Sequence, residues 1–235
     1  MTTPQIVEKI QSRGHWRVGF RPLSPRKTEL SLLECRDVVN ACSVSLRGWN
    51  YPHVSAKPDG LHALKNSFEG LVDWHEHIEY WRMYQSSQFV HYVALDDDWT
   101  DVSHWRKDAF PPGQFLEAIG NLFYEVGEIF EFLARLARAG LYATGARVSI
   151  DLVGMKGRRL YLAPGSGRGS LRGDYTSLEP RIEFTRKLAP TELANTTDAA
   201  VTAATFIVQR FQWLEPSEAV LKECVVDYML GQRQR

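Results

Sequence analysis

The pattern of apolar and polar positions along the 235-residue chain indicates both strands and helices. Residues 15–23 (HWRVGFRPL) alternate between apolar and polar side chains, which is typical of a strand. Residues 31–48 have helical spacing instead, and Ser31 with Glu34 forms a capping box at their start. Residues 60–95 contain two or three further strand-like runs separated by glycines.

The second half of the chain continues this mixture. Apolar side chains at helical spacing predict one long amphipathic helix over residues 113–140, with a face formed by Phe115, Ile119, Leu122, Val126, Phe130, Leu133 and Leu136. Residues 146–163 predict a hairpin, residues 181–188 predict another strand, and two helices follow. Because the strands come as hairpins, we expect an α+β fold: an antiparallel sheet covered by the long amphipathic helix and the C-terminal helices.

The pattern also suggests how the domain is organised. We expect residues 1–14 to form an N-terminal extension, residues 15–230 a single α+β domain, and residues 231–235 a tail. Two packed halves with a break near residues 110–145 are the alternative, since a hairpin-rich half precedes the long helix.

Composition and charge exclude several classes of protein. The chain has 28 Lys and Arg against 28 Asp and Glu, so no global charge draws it onto nucleic acid or an anionic membrane. Its three cysteines are too few for a disulfide scaffold, and its start has no apolar leader. Charged residues within 113–140 argue against a membrane span. We therefore expect a cytoplasmic protein without a cofactor.

Aromatic side chains are concentrated near two predicted turns. The segment LRGWNYPH (46–53) follows the end of a helix, and an arginine with three rings on a loop could hold a planar or anionic ligand. The alternative is that this loop only anchors the helix end. The predicted contact residues for a ligand or partner protein are Arg47, Trp49, Tyr51, His53, Trp74, Trp81 and Arg82.

The stretch DWHEHIEYWRMYQSSQFVHYVAL (73–95) is rich in histidine. If the strands pair through Ser86 and Ser87 so that Tyr84 lies opposite Phe89, His77 and His91 point to opposite faces of the sheet. Three imidazoles could then converge only after a bulge or a one-residue change of register. His75 and His77, two apart on one strand face, could still form half of a metal site with nearby carboxylates, and a metal-dependent hydrolase or nuclease is therefore an alternative function.

A basic segment provides another alternative. Lys156, Arg158, Arg159, Arg168 and Arg172 lie among glycines, whose backbone amides can meet phosphate. A nucleic-acid contact through these side chains competes with the simpler interpretation of a solvated turn, because the phosphate-binding glycine motifs are missing from the sequence.

Five segments carry a resemblance to a known region. They are LSLLECRDVVNACSVSLRGWNYPHV, EYWRMYQSSQFVHYVAL, the predicted helix 113–140, ARVSIDLVGMKGRRLYL and FIVQRFQWLEPSEAVLKECVVDYML. In this order they resemble the uncharacterised region downstream of Schlafen-type AlbA_2 domains in bacterial proteins, over about residues 15–230, although the chain has no AlbA_2 portion. The resemblance implies an accessory sensing or interaction module in a bacterial defence or regulatory setting, and it transfers no active site. Because the aromatic loop and hairpin residues stand beside no recognisable catalytic motif, we expect a non-enzymatic module that recognises a partner protein or ligand.

Overall fold

A computed structural model describes residues 2–46, 48–54, 60–75, 77–99, 110–163, 171 and 173–229. Its main element is an antiparallel seven-stranded sheet in the order β2-β3-β4-β5-β1-β7-β9. The strands of this sheet are β1 (His15–Pro22), β2 (Leu61–Ala63), β3 (Ser67–Trp74), β4 (His77–Tyr84), β5 (Phe89–Ala94), β7 (Ala146–Val153) and β9 (Arg181–Leu188). The α+β class and the antiparallel sheet are confirmed.

Strand β1 lies in the middle of the sheet because it pairs with both β5 and β7. Val18 lies opposite His91 on one side and Ile150 on the other. Its alternating Trp16, Val18 and Phe20 belong to the main hydrophobic core, whereas Arg17 is exposed. The period-2 pattern seen in the sequence therefore sets which face of the sheet is covered.

The described residues contain six α-helices. They are α1 (Thr3–Gln11), α2 (Leu32–Cys42), α3 (Glu125–Arg138), α4 (Pro190–Ala194), α5 (Thr197–Arg210) and α6 (Glu218–Met229). Helices α2 to α6 each contribute buried apolar side chains to the same core as the inner face of the sheet. Within α3, Val126, Phe130 and Leu133 have no exposed surface, as expected for a helix that crosses a sheet.

The single long helix predicted over residues 113–140 is interrupted. Phe115–Glu117 form β6, which pairs in parallel with β8 (Arg159–Tyr161) as a second sheet, and Ile119–Tyr124 form a π-helical segment before α3 begins. The cause is competition for backbone donors: the Glu117 amide donates to the Asp97 carboxylate at 2.9 Å. An amide held from outside cannot serve a continuous α-helix.

Helix α1 covers part of the opposite face of the sheet. Its Ile6 and Ile10 are fully buried in a second, smaller cluster that includes Leu71, Ile78 and Tyr80. The segment predicted as an N-terminal extension thus contributes apolar packing to the sheet. The domain boundaries themselves stay predictions.

Candidate functional site

The hairpin of β4 and β5 has a register one residue away from the predicted one. Met83, not Tyr84, lies opposite Phe89, and Trp81 lies opposite His91. The connection is a three-residue loop in which Ser87 adopts a left-handed conformation with φ of 64°. This odd loop length replaces the even one, of two or four residues centred on Ser86 and Ser87, that the predicted pairing requires. The predicted pairing is wrong, and the correct one places His77 and His91 on the same face of the sheet.

That face contains a buried carboxylate between two imidazoles. The Glu79 Oε2 atom lies 2.7 Å from His77 Nε2, and its Oε1 atom lies 2.7 Å from His91 Nε2. The backbone amide of His53 also donates to Glu79 Oε1 at 2.7 Å. On its other side, the His91 ring lies 3.0 Å from the Tyr51 hydroxyl. One carboxylate therefore holds two strands and the 46–53 loop together.

Burial and hydrogen bonding shift the pKa values in this group in opposite directions. Burial raises the pKa of Glu79, but the charge of His91 and the hydrogen bonds from both imidazoles hold it well below its usual range. Burial lowers the pKa of His77, but the hydrogen bond to Glu79 and the charge of Glu79 outweigh burial and raise the pKa to about 9. Asp96 and Glu125 add smaller increases. His77 is therefore an imidazolium at neutral pH.

The raised pKa of His77 makes stability depend on pH. Because the folded value of about 9 exceeds the ordinary value of 6.5, the stabilisation is fully present below pH 6.5 and is lost as the pH rises to about 9. It amounts to at most about 3 kcal/mol. We expect the difference in unfolding free energy between the wild type and His77→Gln, measured by urea titration, to shrink across that window. A difference that is constant with pH would contradict this assignment.

Buried side chains beneath the cavity hold the loop that follows α2, around Tyr51 and His53, in place. Tyr51, 5% exposed, pairs with Val44 in an isolated bridge and packs edge-on against His91 and Phe132. The Trp81 indole donates to the His53 carbonyl at 2.9 Å. The Trp81 ring has room there because it lies over Gly70, where a Cβ atom would collide with it. The loop therefore holds Trp49 in a defined position.

Trp49 and Trp74 form the mouth of a cavity of about 490 Å³. Their ring centroids are 5.3 Å apart, and Trp49 also stacks on His77 at 5.8 Å. The two indoles are 46% and 52% exposed. The remaining lining comes from β1, the turn after β3, the start of β4, β5 and the residues just after it, the π-helical segment and the start of α3. It consists of Trp16, His75, His77, Val93, Ala94, Leu95, Asp96, Asn121 and Glu125. This volume falls within the roughly 300–1,000 Å³ typical of ligand sites.

The predicted contact residues have separate roles in the structure. Trp49 and Trp74 come together at the cavity, with His53 half-buried beside Trp49. Tyr51 and Trp81 are buried and support the loop, and their contact with a partner stays a prediction. Arg82 lies on the other face of the sheet, where it pairs with Glu69 at 2.6 Å. Arg47 lies outside the described residues.

The predicted histidine pair does not share a strand face. Strand β3 ends at Trp74 and β4 begins at His77, which places His75 in the turn between them with φ of 50°. The alternation of side chains that would align His75 with His77 is therefore broken. Across the described ranges, no group of three or more His, Cys, Asp or Glu side chains is arranged to hold a metal ion.

The residues of the predicted basic segment also differ in their exposure to solvent. Arg158 is only 2% exposed, and its guanidinium contacts Asp98 at 2.8 Å and the Phe115 carbonyl at 3.0 Å. Arg158 is thus buried in an ion pair, and its contact with phosphate stays a prediction. Lys156 and Arg159 are exposed, whereas Arg168 and Arg172 lie outside the described residues.

Sequence reasoning gave Trp16 and Glu125 no role at this site, and it considered Glu79 and Asp96 only as possible oxygen ligands of a metal held by His75 and His77. Trp16, Asp96 and Glu125 line the cavity from three different elements, and Glu79 with His91 supports its wall. One signal was present: a tryptophan at an inward position of the strand HWRVGF is a large side chain that must pack on something. The convergence of the other residues depends on the register and on the start of α3.

Comparison with known proteins identifies no family for this fold and site. No protein-family model matches the chain, and no curated protein or solved structure matches it either. The resemblance to the region downstream of Schlafen-type AlbA_2 domains stays a prediction, as does the cytoplasmic location. No helix in the described part of the chain is long and apolar enough to cross a membrane.

Proposed function

We propose that the protein is a non-enzymatic recognition module that binds a partner protein or ligand at the Trp49–Trp74 cavity. One observation carries this proposal: two tryptophans, each about half exposed, lie side by side at the mouth of a cavity of about 490 Å³. Exposed tryptophans are costly in water and are enriched at binding hot spots. An accessory role in bacterial defence or regulation rests on the resemblance alone.

The frame beneath the cavity supports the same proposal. The buried His91 is hydrogen-bonded to Glu79 on one side and to Tyr51 on the other, and all three are buried, so they support Trp49 and His77 without being reachable themselves. A binding site gains affinity when its contact groups are fixed before the ligand arrives. The observed frame provides that fixation, whereas a surface aromatic without support would have to be ordered on binding.

The two alternative functions have weaker support. A metal-dependent hydrolase would need further ligands near His77, but both oxygens of Glu79 already hold imidazoles. Within the predicted basic segment, the exposed side chains that the structure describes are Lys156 and Arg159, and Arg159 lies 3.1 Å from Asp174. His75 and His77 line the Trp49–Trp74 cavity itself, so the metal alternative concerns the same cavity and differs in the chemistry proposed there.

Removing both indoles tests the proposal. We expect Trp49→Ala with Trp74→Ala to lower capture of a partner by the tagged protein about tenfold or more, because two hot-spot side chains are removed. The matched control is Leu178→Ala with Leu214→Ala. These two apolar side chains lie away from the cavity and are 68% and 65% exposed. Circular dichroism checks that each variant is folded. Undiminished capture by the folded tryptophan variant would contradict the proposal.

A further inference from the structure

The cavity lining combines aromatic rings with carboxylates. Trp16 forms an inner wall at 2% exposure, while Trp49 and Trp74 stand at the mouth. The carboxylates come from Asp96, directly after β5, and from Glu125 in the first turn of α3. Three separate parts of the fold thus place indole side chains around the same space as two acidic groups.

The charges of the lining are unequal. Two carboxylates, Asp96 and Glu125, stand against one imidazolium, His77, whose ring nitrogen is 2.7 Å from the Glu79 carboxylate. Because these two carboxylates outnumber the one imidazolium, the described part of the lining is negative. An anionic ligand would be repelled by this arrangement, and a cation would be attracted to it.

Indole faces favour the same sign of charge. The negative face of an aromatic ring attracts a cation, and tryptophan does so most strongly. Ammonium groups that carry methyl substituents suit such a site best, because their surface is apolar and their hydration is weak enough to be removed. Cages of aromatic side chains are the usual solution for choline and methylated lysine.

We propose that the cavity binds an alkylated ammonium group, held against the faces of Trp49 and Trp74 with Asp96 and Glu125 behind it. This inference rests on the proposed recognition function and names the chemistry of its ligand. The group could be presented by a small quaternary amine or by a methylated lysine of a partner, and the chemistry of recognition is shared.

The test compares choline with its neutral isostere. The full-length chain is titrated with choline and with 3,3-dimethylbutan-1-ol, in which carbon replaces the charged nitrogen, by calorimetry and tryptophan fluorescence. We expect choline to bind about tenfold more tightly, since shape and apolar surface are matched and only the charge differs. Equal or weaker binding of choline, or no binding of either compound, would overturn the inference.

Single substitutions identify the groups responsible. Glu125→Gln and Asp96→Asn are each expected to weaken choline binding several-fold while leaving the isostere unchanged. Asp37→Asn, an exposed carboxylate on α2, is the matched control and should have no effect. Because the comparison of the two ligands uses the wild type, it stands even where a variant fails to fold. If choline affinity is unchanged in both folded variants, the carboxylates have no part in recognition and the inference fails.

Further measurements distinguish a small-molecule source of the ammonium group from a partner protein. They also distinguish failure of the ammonium inference from failure of the proposed recognition function. Tighter binding of an N-acetyl trimethyl-lysine amide than of choline assigns the ammonium to a partner protein, and the reverse assigns it to a small molecule; both support the inference. If the isostere binds as well as choline but the tryptophan variant loses partner capture, the ammonium inference fails and the recognition function stands. Retained capture by that variant overturns the recognition function itself.

Discussion

Replacing Glu79 with alanine is expected to lower the free energy of unfolding by about 3–5 kcal/mol. The substitution removes the acceptor for His77, His91 and the backbone amide of His53 at once. His91 has no exposed surface, so its ring would lose a partner that water cannot easily replace. The effect is measured by urea unfolding followed by tryptophan fluorescence at neutral pH.

A second variant of Glu79 separates the effect of its charge from that of its packing, and a variant of Glu183 is the control. Glu79→Gln keeps the volume and one acceptor oxygen but loses the charge, so we expect a smaller loss of about 1–3 kcal/mol. Glu183→Ala removes a carboxylate that is 61% exposed and is expected to change stability by about 0.5 kcal/mol or less. A Glu79→Ala protein as stable as this control would show that the histidine–carboxylate group does not hold the site together.

The buried ion pair of Arg158 and Asp98 should produce a loss of similar size. Arg158→Ala leaves the Asp98 carboxylate, which also accepts from the amides of Gly14 and Gly113, without its opposite charge. We expect destabilisation of about 3–5 kcal/mol. The pair ties the turn after β7 to β6 and to the segment after β5, so its loss weakens the contact between the two sheets. Urea unfolding again provides the measurement.

A double substitution distinguishes the ion pair from simple packing. Combining Arg158→Met with Asp98→Asn removes both charges. The double variant should therefore recover part of the stability that Arg158→Met alone loses. Arg159→Ala, at the adjacent exposed position, is the control and should have little effect on stability. Additive losses in the double variant would mean that the two side chains do not interact as the structure indicates.

How much the sequence predicts depends on whether the pattern is local. Alternation in residues 15–22, 146–153 and 181–188 was sufficient to predict strands of the sheet, and the inward positions of β1 follow directly from it. The capping box at Ser31 and Glu34 likewise marks the start of α2, where the structure shows both of its hydrogen bonds. These features are decided within a few residues of the chain.

The failures arise where distant groups decide. Ser86-Ser87 carries no residue that demands a left-handed conformation, so the loop length and hence the register of β4 and β5 could not be obtained locally. The predicted helix before Glu125 is broken by Asp97, whose carboxylate takes the Glu117 amide from 20 positions away. No periodicity within residues 113–140 records that competition.

The site was predictable only in part for the same reason. The excess of aromatic residues identified Trp49 and Trp74, because exposed rings on turns stand out in sequence. Their neighbours Trp16, Asp96 and Glu125 reach the cavity through β1, the end of β5 and the start of α3, which the sheet order brings together. The cavity is a property of that order and not of any one segment.

The most direct test of the central claim compares three forms of the protein in a single partner-capture experiment. The wild type, the Trp49→Ala Trp74→Ala variant and a Lys156→Ala Arg159→Ala variant are used at equal concentration and the bound partner is quantified. If the cavity is the recognition site, capture falls about tenfold or more in the tryptophan variant and stays near the wild-type level in the basic-segment variant. The opposite pattern, with capture lost only when the exposed basic side chains are removed, would contradict the account.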